Sequence, residues 1–304
     1  MKEFFRDVNF HAKTRAIIAK ANEILASYSA QGYKLTLRQL YYQFVSQNLI
    51  ANTERNYKNL GQAISDGRIA GLIDWDMIED RGRETQENAH WENPADILDS
   101  CALSFRYDLW KDQPNRVEVM VEKQALEGVL IPVCRSLDIP FSANKGYASS
   151  SALYDSSKRM LRYIYKGQKI HVLYLGDHDP SGIDMSRDIE DRFKMFLTDE
   201  ADSLIIHRIA LNLDQIKKLK PPENPAKITD SRAKGYIRTY GRHSWELDAI
   251  EPRALEKLVT DNVIDLRDED KWREAVSRQG KTRKLLSYVG DNLERIEEDF
   301  DNKE

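Results

Sequence analysis

The chain has 304 residues, of which 41% are hydrophobic and 32% charged, and its net charge is −4 with a pI near 6.0. That is globular composition for about two domains. No apolar run approaches the roughly 18 residues of a membrane span, and the slight acidity argues against a protein that simply coats nucleic acid. Met1-Lys2-Glu3-Phe4-Phe5-Arg6-Asp7 puts charges where a signal peptide needs an apolar stretch. Cys101 and Cys134 lack zinc or redox spacing, which fits a reducing cytoplasm.

Residues up to about Asn93 read as mainly helical with a short β element. The clearest helix start is Lys34 to Val45, where Thr36 and Gln39 make a capping box. Leu37, Leu40, Tyr41, Phe44 and Val45 form the apolar stripe, so Tyr41 is expected in the core. Tyr42 lies off the stripe and is expected to be exposed, with Arg38 four residues before it on the same face. Such a pair is either a solvated surface feature or a phenol that attacks a phosphodiester beside a stabilising guanidinium.

Thr53 to Leu72 reads as a second helix with Tyr57, Leu60 and Ile64 inward, and Arg55, Lys58, Gln62 and Arg68 elsewhere. After Gly71, Leu72 to Arg83 is expected to form a short β ribbon ending in Arg81-Gly82-Arg83. This order resembles a winged helix–turn–helix, which puts its second helix in the major groove and its wing on phosphates. The candidate DNA contacts are therefore Arg55, Lys58, Gln62, Arg68, Arg81 and Arg83, although winged helices also dock proteins.

Residues 93–115, polar and marked by Pro94, Trp110 and Pro114, read as a connector between a 1–92 unit and a 116–304 unit. Strand 117–122, helix 124–136, a short strand near Phe141, helix 150–165, strand 169–175, helix Ser181 to Phe196 and strand Leu204 to Ile209 then alternate. Such alternation implies an α/β fold with a mainly parallel sheet. From Leu211 the chain reads as helical with a break at Pro221-Pro222, and its acidic tail as a solvated helix end.

Two strands deliver carboxylates at their carboxyl ends, where open α/β sheets bind ligands. Glu122 follows Val117-Glu118-Val119-Met120-Val121. Asp177-His178-Asp179-Pro180-Ser181-Gly182 follows the run Ile170 to Leu175. Glu122, Asp177 and Asp179 converging would repel one another without a cation between them, and Mg²⁺ suits an oxygen-only set. Asp179 also fits an N-cap with Pro180 at the first helical position, and Glu122 fits a cap or surface residue. His178 is expected to point away, and Lys123 is either a phosphate contact or a surface lysine. Glu246 and Asp248 could lie behind the metal ligands, but a lone Glu-x-Asp is common and they read as structural.

Val121-Glu122-Lys123-Gln124-Ala125, the loop Lys145-Gly146-Tyr147 and Leu175 to Asp184 resemble the Toprim domain of the topoisomerase VI A subunit and of its relative, the meiotic double-strand-break transesterase. Thr36-Leu37-Arg38-Gln39-Leu40-Tyr41-Tyr42 is similar to the family's nucleophile motif, whose second tyrosine attacks DNA. The resemblance implies an N-terminal winged-helix domain followed by a Toprim (Rossmann-like, mainly parallel sheet) domain with a helical C-terminal extension. It implies Mg²⁺ on Glu122, Asp177 and Asp179, and Tyr42 as nucleophile beside Arg38. It further implies double-stranded DNA cut through 5′-phosphotyrosine links by a homodimer, with Tyr42 of one protomer meeting the metal of the other. No P-loop Gly-x-x-x-x-Gly-Lys is present, so an ATPase subunit would act in trans; the shorter chain is similar to the stand-alone Mini-A group. Two rivals stand beside this reading: a Toprim nuclease that activates water, and a non-catalytic DNA-binding regulator.

Overall fold

The computed structural model describes residues 1–79, 88–144 and 146–302. In its N-terminal part α1 (Ala12–Ser29), α2 (Leu37–Ser46) and α3 (Glu54–Ile69) surround one apolar cluster. The capping box starts α2: Thr36 Oγ1 accepts from Gln39 N at 3.2 Å, and Gln39 Oε1 accepts from Thr36 N at 2.9 Å. Leu40, Tyr41 and Phe44 are buried as the stripe requires, and Leu60 and Ile64 of α3 meet them.

The ribbon expected after Gly71 is not formed over residues 72–79. The chain instead makes a 3₁₀ turn at Trp75–Met77 and pairs Ile78 with Leu35 in a single parallel bridge. Arg68 supplies the physical reason. Its Nη2 donates to Trp75 O at 2.9 Å and Ile78 O at 2.7 Å, and its guanidinium lies 5.1 Å from the Trp75 ring. Arg68, expected on DNA, thus curls the segment back onto α3. Arg81 and Arg83 fall outside the described residues.

After α4 (Pro94–Ser104), capped by Asn93, come β1 (Asn115–Val121), α5 (Glu127–Ser136), β2 (Phe141–Ala143), α6 (Ser150–Ile164), β3 (Lys169–Leu175), α7 (Pro180–Leu197) and β4 (Leu204–Ala210). The strands pair in parallel in the order β2-β1-β3-β4. Side chains alternate between two covered faces, which is why β1 and β3 read as nearly continuous apolar runs. Val117, Val119, Val121, Leu173 and Leu175 pack on one face with Val129, Leu130 and Val133 of α5. Met120, Ile170, Val172 and Tyr174 pack on the other with Leu153 and Met160 of α6 and Ile189 and Phe193 of α7. Glu118 also points to this second face and is buried there under a two-pronged pairing with Arg159, at 2.7 and 3.1 Å.

The rest is less purely helical than expected. It comprises α8 (Leu213–Leu219), β5 (Glu223–Pro225), α9 (Ala233–Tyr240), β6 (His243–Trp245), α10 (Pro252–Asp265), α11 (Glu269–Asp291) and α12 (Leu293–Asp301), and β5 pairs with β6 antiparallel. Pro221, Pro222 and Pro225 exclude helix there, and Ala226 N donating to Arg242 O at 2.8 Å extends the ribbon. The long α11 packs against α4, so the connector is covered by the C-terminal helices. Among the described residues no helix is long and apolar enough to cross a membrane.

Candidate active site

The parallel register sets the site. Val121 lies opposite Leu175, so Glu122 and the Asp177 turn leave the sheet side by side. Glu122 N donates to Leu175 O at 2.9 Å, and Asp177 N donates to Glu122 Oε2 at 2.8 Å. Two glycines make room for this carboxylate: a Cβ at Gly176 or at Gly182 would sit 3.0 Å from Glu122 Oε2, and at Gly182 it would also collide with the Asp177 carbonyl. Asp179 caps α7, accepting from Gly182 N at 2.6 Å and Ser181 Oγ at 3.0 Å. Pro180 holds the first helical position, where it loses no hydrogen bond. Glu122, Asp177 and Asp179 line one cavity of about 510 Å³, as the strand-end argument expects.

His178 turns away from this cavity. Its imidazole Nδ1 lies 2.8 Å from the Tyr236 hydroxyl, and its backbone pairs with Trp245, which ties the turn to α9 and β6. Arg208 of β4 clamps the same turn from behind. Its guanidinium donates to Asp177 O at 2.6 Å, Gly182 O at 3.0 Å and Gly176 O at 3.1 Å. Sequence reasoning missed Arg208; its signal was a cation inside the apolar run Leu204 to Ile209.

Lys123 is not a surface lysine; it lines the cavity. Its Nζ lies 2.9 Å from Asp177 Oδ2, 2.8 Å from Glu246 Oε2 and 3.0 Å from Asp248 Oδ1, largely buried among them. Glu246 and Asp248 belong to the site for that reason. From α2, Arg38 reaches the same two carboxylates, with Nη2 2.6 Å from Glu246 Oε2 and Nε 3.0 Å from Asp248 Oδ2.

The expectation that Tyr42 is exposed is wrong. Tyr42 is 4% exposed, because the 3₁₀ turn Leu247–Ala249 covers a second face of α2, which a single-stripe reading cannot anticipate. Its ring packs edge-on against Tyr41, at 5.4 Å between centroids, and its phenol faces Glu246 in the same cavity. Tyr42 still lines a cavity, shared with Arg38, Asn52, Tyr57, Lys58 and Glu246. Of the other residues expected on DNA, Arg55, Lys58 and Gln62 are exposed on α3; Lys58 pairs with Glu54 at 2.8 Å and Gln62 with Asp66 at 3.0 Å.

Burial dominates the electrostatics. It raises the Tyr42 phenol above its usual range, and Asp248 and Glu246 push the same way against Arg38. Burial raises Glu122, opposed by the bond from Asp177 N and aided by Asp179. Asp177 is raised to about 7, because burial outweighs Lys123. Burial disfavours the charged form of Glu246 too, but Lys123, Tyr42 and Arg38 prevail and hold it at about 2.

Two carboxylates in the cavity each keep one oxygen open, the kind of donor a hard cation takes. Asp177 has both oxygens engaged, Oδ1 by Leu247 N at 2.8 Å and Oδ2 by Lys123. Glu122 Oε1 and Asp179 Oδ2 accept no hydrogen bond among the described residues, where each carboxylate bonds through its other oxygen. Magnesium takes one or two carboxylates and completes its shell with water and phosphate oxygens. Three expected ligands thus become two open ones, since Lys123 holds the third; among the described residues no three His, Cys, Asp or Glu side chains form a ligand group. Comparison with protein-family models, curated proteins and solved structures returned no match.

The raised Asp177 makes stability depend on pH. A carboxyl moved from 3.8 to about 7 on folding binds more protons in the folded state across that window. The contribution of Asp177 to stability therefore falls as pH rises from about 4 to about 7. Asp177→Asn removes that loss, so the variant should gain stability relative to wild type on going from acid to alkaline solution, by at most about 4 kcal/mol. Urea melts at the two pH values check this; a difference independent of pH would show that Lys123 keeps Asp177 ionised throughout.

Proposed function

We propose that this chain is a Mg²⁺-dependent DNA transesterase, topoisomerase-like, in which Tyr42 forms a 5′-phosphotyrosine link. One observation carries the reading. Glu246 and Asp248 hold Arg38, four residues before Tyr42, and the same two carboxylates hold Lys123, the neighbour of Glu122. Phenol and carboxylate cavity therefore share one charged network.

Each residue then has a role. Tyr42 Oη forms the new bond to phosphorus as the bond to the departing 3′ oxygen breaks. The phenol proton leaves to water and the departing 3′ oxygen takes one up from water, so the exchange is proton-neutral, and Glu246 positions Arg38 beside the phenol. Arg38 offsets the charge that develops on the attacking oxygen. Glu122 and Asp179 would hold Mg²⁺, which would neutralise charge on the scissile phosphate. A homodimer would offer one such site to each strand of a duplex, and an ATPase partner would be needed only for strand passage.

Supercoiled DNA incubated with the protein and Mg²⁺, then denatured with detergent, should retain covalently attached chain. Adduct should be absent when the metal is chelated. A second reading, hydrolysis of DNA by the same cavity, is favoured by the burial of Tyr42 and its raised pKa. It predicts nicked or linear DNA with free ends and no attached protein.

A further inference from the structure

We infer that the basic flap built from β5, α9 and β6 seats the sugar–phosphate backbone of duplex DNA and leads it to the carboxylate cavity. The inference rests on the DNA reading of that cavity and names a surface which that reading does not contain. Residues 223–245, which span the flap, hold five Lys or Arg and two Asp or Glu, a local charge of +3 in a chain of −4. The other 281 residues therefore sum to −7, so a polyanion meets a favourable potential at this segment against an acidic remainder.

The flap is built to present its charges. Tyr236 faces inward from α9, and its hydroxyl hydrogen-bonds with His178 O at 2.8 Å and His243 O at 3.0 Å. That fixes the helix to the turn carrying Asp177 and Asp179 and leaves Lys234 and Arg238, four residues apart, on its exposed side. Gly241, at φ +87°, allows the chain to reverse into β6. Lys227 and Arg242 flank the open end of the ribbon, where Ala226 N meets Arg242 O. All four side chains are exposed, and among the described residues none of them has an acidic partner; the flap's Arg232 does pair, with Asp184 and Asp230. Lys227 also lines the cavity with Glu122, Asp177 and Asp179. The helix expected to read DNA offers less: on α3, Lys58 is paired with Glu54 and Arg68 donates through Nη2 to backbone carbonyls, which leaves Arg55 exposed without an acidic partner among the described residues. Phosphate neutralisation needs cations whose charge is not already matched, and the flap supplies them.

The test is duplex binding by fluorescence anisotropy in chelator, where no cleavage occurs, across a salt series. Each phosphate contact contributes about 0.9 to the slope of log K against log salt. Replacing Lys227, Lys234, Arg238 and Arg242 together by Gln should lower that slope by about 3–4 and weaken binding about 100-fold at moderate salt. Arg55→Gln with Lys58→Gln should lower the slope by at most about 1. Should the fourfold variant fold poorly, Lys227→Gln and Arg238→Gln separately should each lower the slope by about 1. Wild-type slope and affinity in the flap variants would overturn the proposal. So would loss confined to the α3 variant, absence of duplex binding by wild type, or binding of an acidic protein but not of DNA. The adduct assay separates the two claims: binding that depends on the flap without any adduct sinks the transesterase and keeps the flap, whereas a normal adduct from the fourfold variant does the reverse.

Discussion

Replacing Lys123 by Met should destabilise the protein by about 3–5 kcal/mol at neutral pH, the cost typical of removing one member of a buried ionic cluster. The Lys123 ammonium is the common partner of Asp177, Glu246 and Asp248, and Asp248 has a fully buried side chain. Without it Arg38 alone faces Glu246 and Asp248, and Asp177 keeps only its bond from Leu247 N. Met preserves most of the apolar stem, so the loss reports charge rather than a cavity. The deficit should shrink in acid as the carboxyls take up protons, and adding Asp248→Asn to Lys123→Met should recover part of it. Urea melts of the single and double variants decide this. A deficit under 1 kcal/mol would mean that water solvates the cluster and that the lysine is an ordinary surface ion pair.

Tyr42→Phe should fold with nearly wild-type stability and yield no covalent adduct. The ring and its contact with Tyr41 persist, and only the hydroxyl is lost. The neighbouring Glu246 keeps Arg38 and Lys123, so the net cost is about 1 kcal/mol. The chemical effect is far larger, because a phenyl ring has no oxygen to bond to phosphorus. Adduct should fall below detection while duplex affinity changes little. Retained cleavage with free ends in this variant would assign the reaction to water. A buried phenol must also become accessible before it can meet DNA, and the bridge to open lies between Arg38 and Glu246–Asp248. Arg38→Ala therefore tests two effects together, whereas Tyr42→Phe isolates one.

What was legible follows physical rules that act locally. β3 spans Lys169–Leu175, as its apolar run predicts, because a strand covered on both faces has little polar interruption. The Thr36–Gln39 box starts α2 through bonds within one turn. Asp177 and Asp179 reach the same cavity as Glu122 because parallel pairing aligns two strand ends, which alternation implies. The failures involve partners far along the chain. Tyr42 is buried by a turn about 200 residues away, and helical period counts only one face at a time. Lys123 looked like a free cation because Glu246 and Asp248, its partners, are separated from it by the whole sheet. β5 and β6 are three-residue strands with proline and polar residues, and they carry no period to read. Arg68 was assigned to DNA from its charge, and its bonds to the carbonyls of Trp75 and Ile78 depend on a turn that the charge does not announce.

The central claim is that the phenol of Tyr42 is the group that becomes joined to DNA. Nuclease trimming of the adduct, proteolysis and mass spectrometry locate the modified residue directly. The account predicts a nucleotide on the peptide that holds Tyr42, on the tyrosine next to Tyr41 and not on Tyr41 itself. A nucleotide on Tyr41, on Ser181 or on any other residue, or DNA cut in the presence of Mg²⁺ with no modified peptide, would contradict it.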